Sequence, residues 1–183
     1  MNIDFSKQVF AFELDDVLYP KRDYMLQVYY LFAQFLDFSE GSSEATTRTA
    51  FMKDCYDKQG EESVFEECQK AFGFPASYKE NFERLRCNAQ LPLPLLLLEH
   101  SQEQLLALFQ AEKQVVILTK GNPVMQLNKM KHLDWGLLNA YKHLVKVYFV
   151  DELTFRSLES IPYIAQDLHV DVSQIQVITN LGR

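Results

Sequence analysis

The chain has 183 residues, enough for one large core or for a core domain with a small insertion. An apolar fraction of 48% excludes wholesale disorder. A balance of 25 acidic against 18 basic residues, net charge -7, argues against non-specific nucleic-acid binding, which needs positive charge against phosphates.

The three cysteines, Cys55, Cys68 and Cys87, have no Cys-x-x-Cys spacing and read as reduced thiols. His100, His132, His143 and His169 show no metal-ligand spacing and read as surface or helix-end residues. Residues 1–7 are polar and lack a signal-peptide stretch. The longest apolar run, residues 91–98, carries Pro92 and Pro94 and is too short for a bilayer. A soluble, cytoplasmic protein is expected.

In chain order, residues 9–14 are apolar except for Glu13 and read as a buried strand, which Pro20 stops from continuing. From residue 21 the period becomes helical. Met25, Val28, Phe32 and Leu36 fall on one helix face, and Gly41-Ser42-Ser43 breaks that helix, with Ser43 a candidate N-cap for the next. Phe51, Met52, Cys55 and Tyr56 mark a second helix ending near Gly60. Val64, Phe65, Cys68 and Phe72 mark a third, closed by Gly73 and Pro75. Tyr78, Phe82 and Leu85 mark a fourth. Four amphipathic helices without a strand predict an all-helical bundle over residues 21–89.

Residues 91–94 read as a stiff return linker, followed by a helix carrying Leu105, Leu106, Leu108 and Phe109. Residues 114–119 form a second buried strand. Asn122-Pro123 then opens a helix, an N-cap followed by proline at the first helical position. Residues 145–150 and 175–179 are two further strands, separated by a helix over Leu158, Ile161, Ile164, Ala165 and Leu168. Strands alternating with helices predict an α/β core with a parallel sheet, built from residues 1–20 and 90–183.

Ligands of open parallel sheets bind beyond the carboxyl ends of the strands. That rule singles out Glu13 and Asp15 after the first strand, Thr119 and Lys120 after the second, and Asn180 after the last. Taken singly, each has an ordinary reading: Asp15-Asp16 as a turn, Thr119 as a strand-end cap, Asn180 as a turn residue, and Lys120, Arg156 and Lys129 as surface charges. Their shared position at strand ends is the stronger signal.

The stretch Phe10-Ala11-Phe12-Glu13-Leu14-Asp15-Asp16-Val17-Leu18-Tyr19-Pro20 resembles the first motif of the haloacid dehalogenase (HAD)-like hydrolases, an apolar strand followed by Asp-x-Asp-x-(Thr/Val)-Leu. Val116-Ile117-Leu118-Thr119-Lys120-Gly121-Asn122 resembles the second motif. Gln126 and Lys129 fall where many relatives have Gln-x-x-Lys, and Ile178-Thr179-Asn180-Leu181 falls where the family has Gly-Asp-Ser or Gly-Asn-Ser. The helical segment is similar in place and size to the family's helical cap. The resemblance spans the whole chain and implies a Rossmann-like three-layer core with an inserted all-helical cap domain.

By the same resemblance, Glu13 stands at the nucleophile position, Asp15 at the general acid and base, and Thr119 at the hydroxyl that binds the phosphoryl group. Arg156, with Lys120 as a rival, stands at the cation that neutralises phosphoryl charge. Glu13, the main-chain carbonyl of Asp15, and Asn180 are the expected magnesium ligands. A carboxylate nucleophile splits ester hydrolysis into two steps, and a cation stabilises the transferring group. The departures are Glu13 for aspartate, Thr179-Asn180 for Gly-Asp, and a distal acid that would lie beyond Arg183. Relatives continue with one more helix and strand, so truncation, natural or by processing, is expected at Arg183.

These features predict a phosphatase-type HAD-like hydrolase by descent, with weak or lost activity and weak or absent magnesium. The alternative is a non-catalytic module that binds a small phosphorylated molecule or a protein through the old cleft.

Overall fold

The computed structural model describes residues 2–180, so the expectations that rest on Leu181 and on the chain end at Arg183 lie outside the described residues. The chain divides into two compact units, one built of residues up to Lys21 and from Pro94 onward, the other of Arg22–Leu93.

The first unit is built on four parallel strands: β1 (Val9–Phe12), β3 (Gln114–Thr119), β5 (Lys146–Phe149) and β6 (Ile175–Ile178). Their order across the sheet is β5-β3-β1-β6. Val9 pairs with both Gln114 and Ile175, and Phe12 with both Ile117 and Ile178, so the three carboxyl ends finish side by side. On one face Val9, Ala11, Val116, Leu118 and Tyr148 pack with Leu153 and Ile164, from helices α7 (Val150–Phe155) and α8 (Ser160–Leu168). The alternate residues Phe10, Phe12, Val115 and Ile117 are buried as well, as is the α5 (Glu99–Gln110) stripe Leu105, Leu108 and Phe109. Both faces of the central strands β1 and β3 are therefore covered, which explains why these two read as continuous apolar runs.

Two elements of this unit differ from expectation. Residues 91–94 are not followed directly by a helix: β2 (Leu95–Leu96) pairs in parallel with β4 (Leu133–Asp134). Helix α7 falls largely on residues to which no element was assigned. It is six residues long with Leu153 as its one buried residue, too short for a periodic signal.

The second unit holds most of α1 (Lys21–Glu40) and all of α2 (Ala45–Gln59), α3 (Val64–Phe72) and α4 (Lys79–Asn88). Its core is aromatic. Phe32 lies 5.0 Å from Phe82, 5.7 Å from Phe74 and 5.9 Å from Phe65, ring centre to ring centre, and is fully buried. Ser43 does not cap α2. Glu44 holds that position without a side-chain bond, while the Asp37 carboxylate of α1 accepts from Ser42 Oγ and from the backbone N–H groups of Glu44 and Ala45. The acid that satisfies the helix start thus comes from the preceding helix. Arg48 is almost wholly buried beside Glu40 and Glu44 at 2.7 and 3.0 Å. All three cysteines are free thiols. Among the described residues, no helix is long and apolar enough to cross a membrane.

Candidate functional site

The carboxyl ends of β1 and β3 open onto a cleft of about 370 Å³, lined by Glu13, Leu14, Asp15, Leu118, Thr119, Lys120 and Val150. A larger cavity of about 820 Å³ lies at the amino ends of the same strands, around Val9, Phe109, Gln114 and Tyr141. Size favours the second and chemistry the first. Only the smaller cleft gathers two carboxylates, a hydroxyl and an ammonium at strand carboxyl ends, where parallel sheets bind ligands.

The loop after β1 is rigidly built. Glu13 N–H donates to Ile178 O at 3.0 Å, extending the ladder one residue past the strand. Asp16 adopts a positive φ of 59°, and its carboxylate accepts from Lys21 N–H at 2.9 Å, capping the start of α1. Asp15 and Tyr19 form a backbone bridge, and Tyr19 Oη donates to Asp15 Oδ1 at 2.6 Å. The other oxygen, Asp15 Oδ2, accepts from Lys129 Nζ at 2.6 Å. Lys129 is 0% exposed and the Asp15 side chain 22%. Both carboxylate oxygens of Asp15 are thus engaged. The Glu13 carboxylate has no hydrogen bond or ion pair with other described residues.

The loop after β3 is closed by its own helix, α6 (Pro123–His132). The Asn122 side chain accepts from Val124 N–H and Met125 N–H, as the Asn-Pro pair implied. Gln126, buried one turn further on, donates through Nε2 to Lys120 O. Gly121 sits at φ 111°, where an added Cβ would meet Gln126 Nε2 at 3.2 Å. Its N–H donates to Asp151 Oδ2 at 3.1 Å. Thr119 ends the strand at 2% exposure, and Lys120 next to it is exposed.

Glu13, Asp15, Thr119 and Lys120 therefore meet at one cleft. Asn180 and Arg156 are not among the residues that line it. Asn180 is exposed beyond β6. Arg156 ends α7 at the surface, with its guanidinium 5.7 Å from the centre of the Tyr163 ring. The buried cation beside the site is Lys129, for which the sequence left open both a surface charge and a match to Gln-x-x-Lys. Its position three residues after Gln126, on the face of α6 that also buries Met130, was the available signal.

Magnesium wants about six hard oxygens in near-octahedral array. Here both side-chain oxygens of Asp15 are engaged by Tyr19 and Lys129, which leaves its main-chain carbonyl as the ligand the family resemblance implied, and Asn180 is neutral and lies outside the cleft lining. Among the described residues no group of three or more His, Cys, Asp or Glu side chains is arranged to hold a metal ion. Of the expected magnesium ligands, Glu13 and Asp15 lie at the cleft and Asn180 does not line it.

No protein-family profile matches the chain, and no curated protein matches it in sequence. Solved structures do match in fold. A dehalogenase in an intermediate complex is 14% identical, superposes with a TM-score of 0.50, and is matched over 94% of this chain and 76% of its own. A HAD family hydrolase from Deinococcus radiodurans R1, with bound phosphate and sodium, gives 18% identity and a TM-score of 0.51 over 95% and 72%. The putative HAD-hydrolase YfnB from Bacillus subtilis, bound to magnesium, gives 13% and 0.51 over 93% and 77%. At these identities the likeness concerns fold alone. The chain has the fold of the haloacid dehalogenase-like hydrolases, a Rossmann-like α/β core with a helical insert after its first strand.

Proposed function

We propose that the cleft at the ends of β1 and β3 binds the phosphoryl group of a small phosphorylated molecule, and that hydrolysis through Glu13 is weak or lost. The observation that carries this reading is the convergence of Glu13, Asp15, Thr119 and Lys120 on one cleft at adjacent strand ends. The Thr119 hydroxyl and the Lys120 ammonium suit a phosphoryl oxygen. The phosphate found in the Deinococcus structure supports the same ligand chemistry for this fold. Three free thiols suit a reducing compartment, and we place the protein in the cytoplasm.

Two features argue for slow chemistry. Glu13 carries one methylene more than aspartate at a strand end whose backbone is fixed by the bond to Ile178. Its carboxylate is displaced outward, and a misplacement of about 1 Å costs roughly a hundredfold in rate. Attack by Glu13 on phosphorus also expels an alkoxide that needs a proton. Asp15 can deliver one only by giving up its contact with Lys129 or with Tyr19. That second feature also favours the alternative, a purely binding role for the cleft.

A panel of phosphate esters, run on the natural chain and on Glu13→Asp, tests the reading. Turnover near background is expected for the natural chain, with partial recovery in the variant. Turnover on the order of 1 per second or faster in the natural chain overturns it.

A further inference from the structure

We infer that the ammonium of Lys129, paired with Asp15 beside this cleft, supplies the positive charge that a divalent cation would otherwise bring, so that the anionic ligand binds without metal. The inference rests on the phosphoryl-binding reading above and specifies how that site balances its charge.

Lys129 is fully buried on α6, and its Nζ lies 2.6 Å from Asp15 Oδ2. A buried ammonium is strongly disfavoured unless paired, so this contact is a fixed part of the fold. Tyr19, itself fully buried, holds the other oxygen of the same carboxylate. The one carboxylate that lines the cleft beside Glu13 is therefore committed to a cation carried by the chain, and its negative charge is not free to attract a metal toward the Asp15 main-chain carbonyl. A dication entering the cleft would sit near that immobile positive charge in a partly desolvated setting, where like charges repel most strongly. With Lys120 included, two ammonium groups balance the two carboxylates of Glu13 and Asp15. An anionic ligand then meets a cleft whose lining carboxylates are matched by ammonium groups, and no further cation is needed.

The test uses the full chain stripped of metal. Manganese is titrated and followed by water-proton relaxation in the natural chain, Lys129→Gln and Lys129→Arg. Inorganic phosphate is titrated by calorimetry in chelator and again in magnesium. The natural chain should bind manganese no better than millimolar. Lys129→Gln, which frees the Asp15 carboxylate and removes the repelling charge, should gain at least about tenfold, and Lys129→Arg should behave as the natural chain. Phosphate affinity should be the same in chelator and in magnesium.

Micromolar manganese binding to the natural chain overturns the inference, as does phosphate binding that requires magnesium. Should Lys129→Gln fail to fold by circular dichroism, manganese binding to the natural chain decides alone. Absence of phosphate binding in both conditions overturns the phosphoryl-binding reading instead, while the manganese titration still decides the role of Lys129.

Discussion

Replacing Gly121 by alanine probes the loop that shapes the cleft. Gly121 sits at φ 111°, a region that residues with a Cβ avoid, and holding a side chain there costs about 1 to 3 kcal/mol. The new Cβ would also press on Gln126 Nε2 at 3.2 Å, the atom that donates to the Lys120 carbonyl. Gln126 is buried, so it has little room to yield, and loss of its bond adds about 1 kcal/mol. A total near 2 to 4 kcal/mol is expected, a fall of roughly 4 to 16 °C in Tm at about 2 to 4 °C per kcal/mol. Urea unfolding followed by circular dichroism measures it. A double-mutant cycle with Gln126→Ala separates strain from clash, because only the clash couples the two sites. A Gly121→Ala chain as stable as the natural one would refute the reasoning. Strict additivity with Gln126→Ala would show that backbone strain alone is at work.

Other perturbations address the rest of the molecule. Phe32→Ala removes a ring packed against Phe65, Phe74 and Phe82, and should cost about 3 to 5 kcal/mol in chemical unfolding. Desolvation pushes the Asp37 carboxyl upward, but the bonds from Ser42, Ala45 and Glu44 and the nearby Arg48 together hold it below its ordinary value. Its stabilisation is therefore complete above the ordinary carboxylate range near about pH 4 and is lost as pH falls through the lowered value. Asp37→Asn should lower Tm at neutral pH, with the difference from the natural chain shrinking toward zero under acid. Deleting residues 22–93 and joining the ends with a short Gly/Ser linker should leave a folded α/β unit by circular dichroism, since the two units are separately compact.

What the sequence disclosed follows the range of the interactions involved. Strands β1 and β3 were legible because each is a buried apolar run, β5 and β6 as short, mainly apolar stretches that are only partly buried, and α6 because Asn122-Pro123 acts within one turn. That Glu13, Asp15, Thr119 and Lys120 share one cleft was legible from their strand ends, since a parallel register fixes which ends meet. The failures are non-local. Asp37 reaches across from α1 to the start of α2, displacing Ser43 from the cap. Lys129 reaches Asp15 across 114 positions of chain, so its spacing from Gln126 marked the residue but could not name its partner. Arg156, matched to the family's cation by alignment of motifs, lies at the end of α7 over Tyr163 and does not line the cleft.

The most direct test of the account is which of the two cavities takes phosphate. Amide chemical shifts of isotope-labelled protein, followed while inorganic phosphate is added, report the site residue by residue. The account predicts changes concentrated at Glu13, Leu14, Asp15, Thr119, Lys120 and Gly121, with little change at Phe109, Gln114 or Tyr141. Shifts confined to Phe109, Gln114 and Tyr141, or none anywhere at saturating phosphate, would contradict it.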